Sequence, residues 1–231
     1  MKYTTIFFDL DDTLIDTALN SKQVLEEVYT DYRINKYYPT FSDFFEKYQS
    51  INLHLWDQYE QNLISKEELK KGRFQQALRD FTSITTEQSL EMNSDFMGRV
   101  SNKKNIIEGV EGILEYLHPK YRLYIISNGF LEVQDKKIKN AGLDSYFKDV
   151  FLSDHVGKNK PHPLIFNYAL KEANTTTQEC IMIGDNINTD IIGAKNLGID
   201  QIWFNPKDTR DTNSITPTYT VKTLHDIKSI L

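Results

Sequence analysis

The chain has 231 residues, 39% of them hydrophobic and 26% charged, an ordinary globular balance with room for one large domain or a core with an insertion. Its net charge of −6 argues against a nucleic-acid polymer as partner, since backbone phosphates call for clustered positive charge. A single cysteine, Cys180, excludes a disulfide framework within the chain, and no apolar stretch reaches the length of a membrane span.

A strand is predicted over residues 4–10, where the run Ile6-Phe7-Phe8 ends on Asp9 and a second carboxylate, Asp11, follows. An unpaired charge inside a core is costly, so these acids belong at the exposed end of the strand. In an open α/β sheet that end is where ligands bind. Asp9 also leaves the N-terminal apolar run too short and too acidic for a signal peptide, and the expected location is cytoplasmic.

From about 16 to 104 the pattern is helical. One helix carries Val24, Leu25, Val28 and Tyr32, and a second carries Phe41, Phe44, Phe45, Tyr48, Leu55, Trp56 and Tyr59. A third starts at a capping box of Ser65 and Glu68. A fourth starts near Thr85 or Thr86 and includes Leu90, Met92, Phe96 and Met97. Beyond 106, apolar runs at Leu123–Ile126, Val150–Leu152, Ile181–Ile183 and Ile199–Phe204 alternate with helical segments near 110–117, 131–141, 163–173 and 188–197. Continuous apolar strands separated by helices predict a parallel sheet covered on both faces, with strand 4–10 joining it. Residues 205–218 read as a loop before a closing strand and a C-terminal helix capped by Thr223.

If the strands share one sheet, their ends share one site. The first ends in Asp9-Leu10-Asp11-Asp12-Thr13 and the second in Ser127-Asn128-Gly129. The third is followed by Gly157-Lys158-Asn159-Lys160-Pro161, and the fourth by Gly184-Asp185-Asn186, with Asp190 a helical turn further on. Carboxylates with open positions suit a hard cation such as Mg²⁺. Hydroxyl, backbone N–H and lysine suit phosphate oxygens, and an aspartate can attack phosphorus. Taken singly, each has a duller reading: a solvated turn at Asp9 and Asp11, a plain turn at Ser127-Asn128-Gly129, helix-capping acids at Asp185 and Asp190. Lys158 competes with Lys160, Cys180 reads as inert packing, and no histidine has a convincing partner.

In order and spacing the four stretches resemble the four motifs of the haloacid dehalogenase (HAD) superfamily of aspartate-nucleophile phosphohydrolases, across nearly the whole chain. The resemblance implies an α/β fold with a Rossmann-like three-layer αβα core (1–14 and 106–231) and an inserted α-helical cap that reads the substrate (15–105). It implies Asp9 as nucleophile, Asp11 as general acid/base and Lys160 as the neutralising lysine. It implies a phosphate cradle of Asp9, Leu10, Asp11, Ser127, Asn128 and Lys160. Mg²⁺ would be held by Asp9, the backbone carbonyl of Asp11 and Asp185, supported by Asn186 and Asp190.

Within the cap, Tyr48, Asn52, Leu55, Trp56 and Tyr59, then Gly72-Arg73-Phe74, together with Asn128-Gly129-Phe130, are similar to bacterial pyrimidine 5′-nucleotidases acting on non-standard nucleotides. That similarity implies a nucleoside monophosphate as substrate, with Arg73, Asn52 and Gly129 as substrate-binding residues, although aromatics at helical spacing are more often core packing. The partner expected is this small phosphorylated substrate, with no membrane and a monomeric or homodimeric state. The alternatives are a phosphatase or phosphomutase acting on a small sugar phosphate or phosphoglycolate, and a non-catalytic binding protein on the same scaffold. Asp11 argues against a 2-haloacid dehalogenase, and the absence of Gly-x-Gly-x-x-Gly after the first strand argues against a dinucleotide-binding oxidoreductase.

Overall fold

The computed structural model describes residues 2–81, 84–209 and 215–231. In chain order the first elements are β1 (Thr5–Phe8), then helices α1 (Thr17–Asp31), α2 (Phe41–Glu60), α3 (Lys66–Ala77), α4 (Thr86–Val100) and α5 (Val110–Leu117). They are followed by β2 (Arg122–Ser127), α6 (Leu131–Asn140), β3 (Asp149–Leu152), α7 (Ser153–Val156), α8 (Pro163–Glu172), β4 (Cys180–Gly184), α9 (Ile192–Asn196), β5 (Asp200–Phe204) and β6 (Tyr219–Val221). The chain divides into two compact units, Met1–Asp16 with Lys104–Leu231, and Thr17–Lys103.

The first unit is a three-layer αβα sandwich. Its six strands pair in parallel in the order β3-β2-β1-β4-β5-β6. Alternate side chains leave a strand on opposite faces, and both faces are apolar here. Ile6, Phe8, Leu123, Ile125, Ile181 and Ile183 pack with Val110, Ile113, Leu114 and Leu117 of α5 and Ile138 of α6. Phe7, Tyr124, Ile126, Cys180 and Met182 pack with Ile165, Phe166 and Ala169 of α8 and Ala194 of α9. This double burial is why the strands read as unbroken apolar runs. Burial pushes the Cys180 thiol up to about 12, as suits inert packing.

The boundary of this unit lies two residues inside the 15–105 insertion at each end, because residues 15–16 stay tied to it. Ile15 bridges to Ile106 and the Asp16 N–H donates to the Asn105 carbonyl at 3.1 Å. The helix expected at 188–197 opens instead with a π-helical turn over Ile187–Ile191 before α9. The C-terminal helix is a 3₁₀ segment, Leu224–Ser229, capped by Thr223. Of the loop expected over 205–218, residues 210–214 lie outside the described residues.

The second unit is all-helical. Thr40, Ser65 and Thr85 cap α2, α3 and α4 through their side chains, and Ser65 with Glu68 forms a full capping box. Val24, Leu25, Val28, Phe44, Tyr48, Phe74, Met92 and Phe96 form its core. Most of the aromatics at helical spacing are therefore packing, whereas Trp56 and Tyr59 are half-buried and meet edge to face at 5.7 Å. No helix among the described residues is long and apolar enough to cross a membrane.

Candidate active site

β1 stops at Phe8, but the Asp9 N–H still donates to the Ile183 carbonyl of β4 at 2.8 Å. The Asp9 carboxylate therefore stands at the carboxyl end of the central strand pair. The chain then turns sharply. Leu14 and Ile15 both donate to the Leu10 carbonyl at 2.9 Å, and Asp12 takes a left-handed φ of 60°. The Leu10 side chain is wholly core, so only its backbone can face a phosphate. Thr13, to which sequence reasoning gave no role, ties two acids together. Its hydroxyl lies 3.1 Å from Asp9 Oδ2 and 3.3 Å from Asp185 Oδ1, and it accepts the Asp185 N–H at 3.1 Å. Trp203 adds a further hold, donating its indole N–H to the Asp185 carbonyl at 2.8 Å.

Lys160 arrives on the loop after α7 and is 1% exposed. Its Nζ lies 2.6 Å from Asp9 Oδ1, 2.7 Å from Asp190 Oδ1 and 2.7 Å from the Ile126 carbonyl, so all three donors are used. Burial works against its charge, but Asp190 and Asp9 outweigh burial and hold the ammonium above the ordinary lysine value. Lys158 is half-buried, and among the described residues it has no such partners. The Asn128 side chain supports this loop through a reciprocal pair with the Lys160 backbone: Oδ1 accepts its N–H at 2.7 Å and Nδ2 donates to its carbonyl at 3.1 Å.

The π-helical turn brings Asp190 back against the strand end. Its Oδ2 accepts the Asn186 N–H at 3.1 Å, and a Cβ on Gly184 would lie 2.2 Å from that oxygen. Only glycine admits the contact. Asn186 is exposed and spends its side chain capping the turn through the Asn188 N–H at 2.9 Å.

Asp11 faces α6. Lys137 Nζ is 2.5 Å from its Oδ1, and Gln134 Nε2 donates to its Oδ2 at 2.6 Å. Gln134 Nε2 also lies 2.8 Å from Ser127 Oγ, which accepts the Gly129 N–H at 3.0 Å. For Gly129, expected to bind substrate, the structure shows a steric role: a Cβ there would lie 2.0 Å from Gln134 Nε2. Sequence reasoning missed Gln134 and Lys137. Their only trace is the i, i+3 spacing of two polar residues on a face that the rest of α6 packs inward.

The donor set suits a hard cation. Oxygens of Asp9, Asp185 and Asp190 lie within 4.8 Å of one another, and Asp190 is already committed to Lys160. Burial pushes the Asp9 carboxyl up to about 7 against the pull of Lys160, with Asp190 and Asp11 adding repulsion. Burial, then Asp9, Asp190 and Asp12, raise Asp185 well above the usual carboxylate range. Such crowding marks a place where positive charge is wanted, and all-oxygen ligands match Mg²⁺ chemistry. The Asp11 carboxylate is taken up by α6.

Of the residues expected to contact substrate in the helical unit, Asn52 is half-buried on α2, one turn before Trp56. Arg73 is 2% exposed on α3. Its Nη1 meets Asn93 Oδ1 at 3.3 Å and Met97 Sδ at 2.9 Å, and its guanidinium lies 5.6 Å from the Trp56 ring centroid. Nε has no hydrogen-bond partner, and among the described residues no carboxylate pairs with it. Burial holds its pKa below the usual value.

The family profile described as haloacid dehalogenase-like hydrolase matches residues 3–198. Pyrimidine 5′-nucleotidase YjjG of Escherichia coli (strain K12) is 30% identical over 233 residues, spanning 100% of this chain and 99% of that protein. Glyceraldehyde 3-phosphate phosphatase of Pyrococcus furiosus is 33% identical over 208 residues, spanning 86% of this chain and 79% of that protein. A crystal structure of the HAD-hydrolase YfnB of Bacillus subtilis, bound to magnesium, matches with a TM-score of 0.91 at 28% identity over 100% of this chain and 99% of that one.

Proposed function

The chain belongs to the haloacid dehalogenase-like hydrolases and is a phosphoric monoester hydrolase, and on that premise we propose that it is a Mg²⁺-dependent nucleoside 5′-monophosphate phosphatase, pyrimidine-leaning and cytoplasmic. The observation that carries the chemistry is the orientation of Asp9, one oxygen held by Lys160 at 2.6 Å and the other by Thr13 at 3.1 Å. A carboxylate fixed on both oxygens at a strand end is a pre-positioned nucleophile.

Asp9 attacks phosphorus and the bond to the ester oxygen breaks, giving an aspartyl-phosphate. Asp11 supplies the proton that the leaving oxygen needs, which leaves it deprotonated. It then takes a proton from the water that hydrolyses the intermediate, freeing phosphate and Asp9. Ser127 binds a phosphoryl oxygen, Lys160 neutralises Asp9 and the charge of the transferring group from its place against Asp9, and Asn128 acts by fixing the Lys160 loop. Asp9, Asp185 and the Asp11 carbonyl would hold Mg²⁺, with Asp190 and Asn186 supporting them. Bound there, the ion supplies charge neutralisation for the transferring group.

The nucleotide reading is supported by the end-to-end match with a pyrimidine 5′-nucleotidase and by the buried Arg73 beside Trp56, which offers a planar donor and a stacking face. In this reading Thr17–Lys103 is the substrate-reading cap, with Arg73 and Asn52 contacting the nucleoside. A small sugar phosphate is the second reading, favoured by the shorter but slightly more identical match to a triose-phosphate phosphatase.

Phosphate release over a panel of nucleotides and sugar phosphates, with Mg²⁺ and with chelator, tests these claims. Asp9→Asn and chelator are each expected to abolish turnover. Activity surviving Asp9→Asn overturns the mechanism, and equal rates on sugar phosphates and nucleotides overturn the substrate assignment.

A further inference from the structure

Gln134 has no part in the chemistry set out above, yet it touches two of its groups. It is 1% exposed on α6, and its Nε2 bridges Ser127 Oγ at 2.8 Å and Asp11 Oδ2 at 2.6 Å. Paired with the Lys137 ammonium before substrate arrives, the Asp11 carboxylate offers only acceptors, so the amide nitrogen and not its oxygen faces it; it gains the proton it gives the leaving oxygen only once substrate is bound.

Counting hydrogen-bond capacity then fixes the state of Ser127. Its Oγ accepts from Gln134 and from the Gly129 N–H at 3.0 Å, which occupies both lone pairs. Its single hydrogen must be donated, and among the described residues none receives it. The hydroxyl is set to donate to an incoming phosphoryl oxygen. On the other side of the same amide, Asp11 has one oxygen on Gln134 and the other on Lys137 at 2.5 Å.

Two further observations separate this arrangement from ordinary packing. Gln134 Oε1 is buried with no hydrogen-bond partner, so the amide weakens the fold relative to an apolar side chain of the same shape. The amide also fills space that only a glycine leaves open, since a Cβ on Gly129 would lie 2.0 Å from Nε2 and 2.3 Å from Cδ. A side chain that carries an orphaned acceptor and requires a glycine opposite it is not there for stability.

Resting on the hydrolytic reading above, we propose that Gln134 is a positioning residue for phosphoryl transfer. It fixes the Ser127 hydroxyl as a donor to the phosphoryl group and, with Lys137, sets the orientation of the Asp11 carboxylate.

The test is Gln134→Met, which keeps length and volume but removes the donors. It is assayed beside Ser127→Ala, Asp11→Asn and the double variant Ser127→Ala/Gln134→Met, on para-nitrophenyl phosphate with Mg²⁺. The expected result is a fall in kcat of about 10- to 100-fold, with KM little changed and thermal stability equal to or above that of the unmodified protein. The loss caused by Gln134→Met should shrink when residue 127 is already alanine, because it acts through that hydroxyl. Unchanged kcat in Gln134→Met while Ser127→Ala and Asp11→Asn are impaired overturns the proposal. So does a loss of kcat that simply parallels a loss of stability. Full activity in both Ser127→Ala and Asp11→Asn instead overturns the roles given to those residues, and the proposal with them.

Discussion

Gly184→Ala perturbs the reaction site without touching any reacting group. The new Cβ would lie 2.2 Å from Asp190 Oδ2, 2.5 Å from its Cγ and 2.7 Å from its Cβ. β4 is paired to β1 on one side and β5 on the other, so the backbone cannot retreat. Asp190 must move instead, by roughly 1 Å to reach ordinary contact distance. That opens its 2.7 Å bond to Lys160. At an effective dielectric of about 20, the attraction falls from about 6 to about 4.5 kcal/mol, a loss of about 1.5 kcal/mol. Overpacking adds about 1–3 kcal/mol, so the stability cost is about 2.5–4.5 kcal/mol in total. Lys160 follows Asp190 and leaves Asp9 misdirected, and a displacement of this size costs about 100-fold in kcat. Denaturant unfolding in chelator reads the first effect and phosphate release with Mg²⁺ the second. Gly112→Ala is the control: it lies in α5 with nothing within 4 Å of the added carbon, so it should gain about 0.5–1 kcal/mol. A Gly184→Ala protein within about 0.5 kcal/mol of the parent, with undiminished kcat, would refute the reasoning.

Two further outcomes are expected from the helical unit. The Tyr48 hydroxyl is buried with no hydrogen-bond partner, and burial pushes it up to about 12 from 10.0, against the opposing pull of Arg73. Because the folded state keeps its proton to higher pH, stability falls as pH rises from about 10 to about 12, with about 1.4 kcal/mol lost by pH 11. Tyr48→Phe should lose that slope while matching or exceeding the parent at pH 7, and an unchanged difference between unfolding curves at pH 9 and pH 11 would contradict this. Arg73→Met removes a buried cation that no carboxylate among the described residues balances, so its stability should hold. Its kcat/KM should fall at least about tenfold on a nucleoside monophosphate and far less on para-nitrophenyl phosphate; equal losses on both substrates would assign Arg73 to the fold instead.

What could be read in the sequence was whatever has a local signal. The Ser65 capping box involves residues three apart, and the apolar runs that became β1, β2 and β4 carry their double burial in their own composition. Asp9, Ser127, Lys160 and Asp185 follow recognisable strands, so a parallel sheet alone brings them to one edge. Gln134 and Lys137 could not be found this way, because what matters is which face of α6 looks toward the β1 turn, and that is set by tertiary packing such as that of Ile138 in the sheet-side core. The π-helical turn was equally hidden, since it brings Asp190 against both Gly184, six residues before it, and Lys160, which is distant in sequence. The resemblance implied Asn128 at the phosphate; its side chain pairs with the Lys160 backbone, a link between two loops that no local pattern encodes.

The charges of the site explain why a divalent cation belongs in the proposed reaction. Lys137 balances Asp11, while Lys160 is shared between Asp9 and Asp190. Among the described residues the Asp185 carboxylate meets the Thr13 hydroxyl and its carbonyl the Trp203 indole, and no cation pairs with it. Four carboxylates thus face two ammonium groups, and burial makes the excess expensive, as the upward shifts of Asp9 and Asp185 register. A phosphate monoester would bring about two more negative charges at neutral pH. The protein's own residues would then repel the substrate they are arranged to hold. Positive charge beside Asp9 and Asp185 relieves both the carboxylate crowding and the repulsion of phosphate, so cation and substrate must favour one another's binding, and by linkage they do so equally.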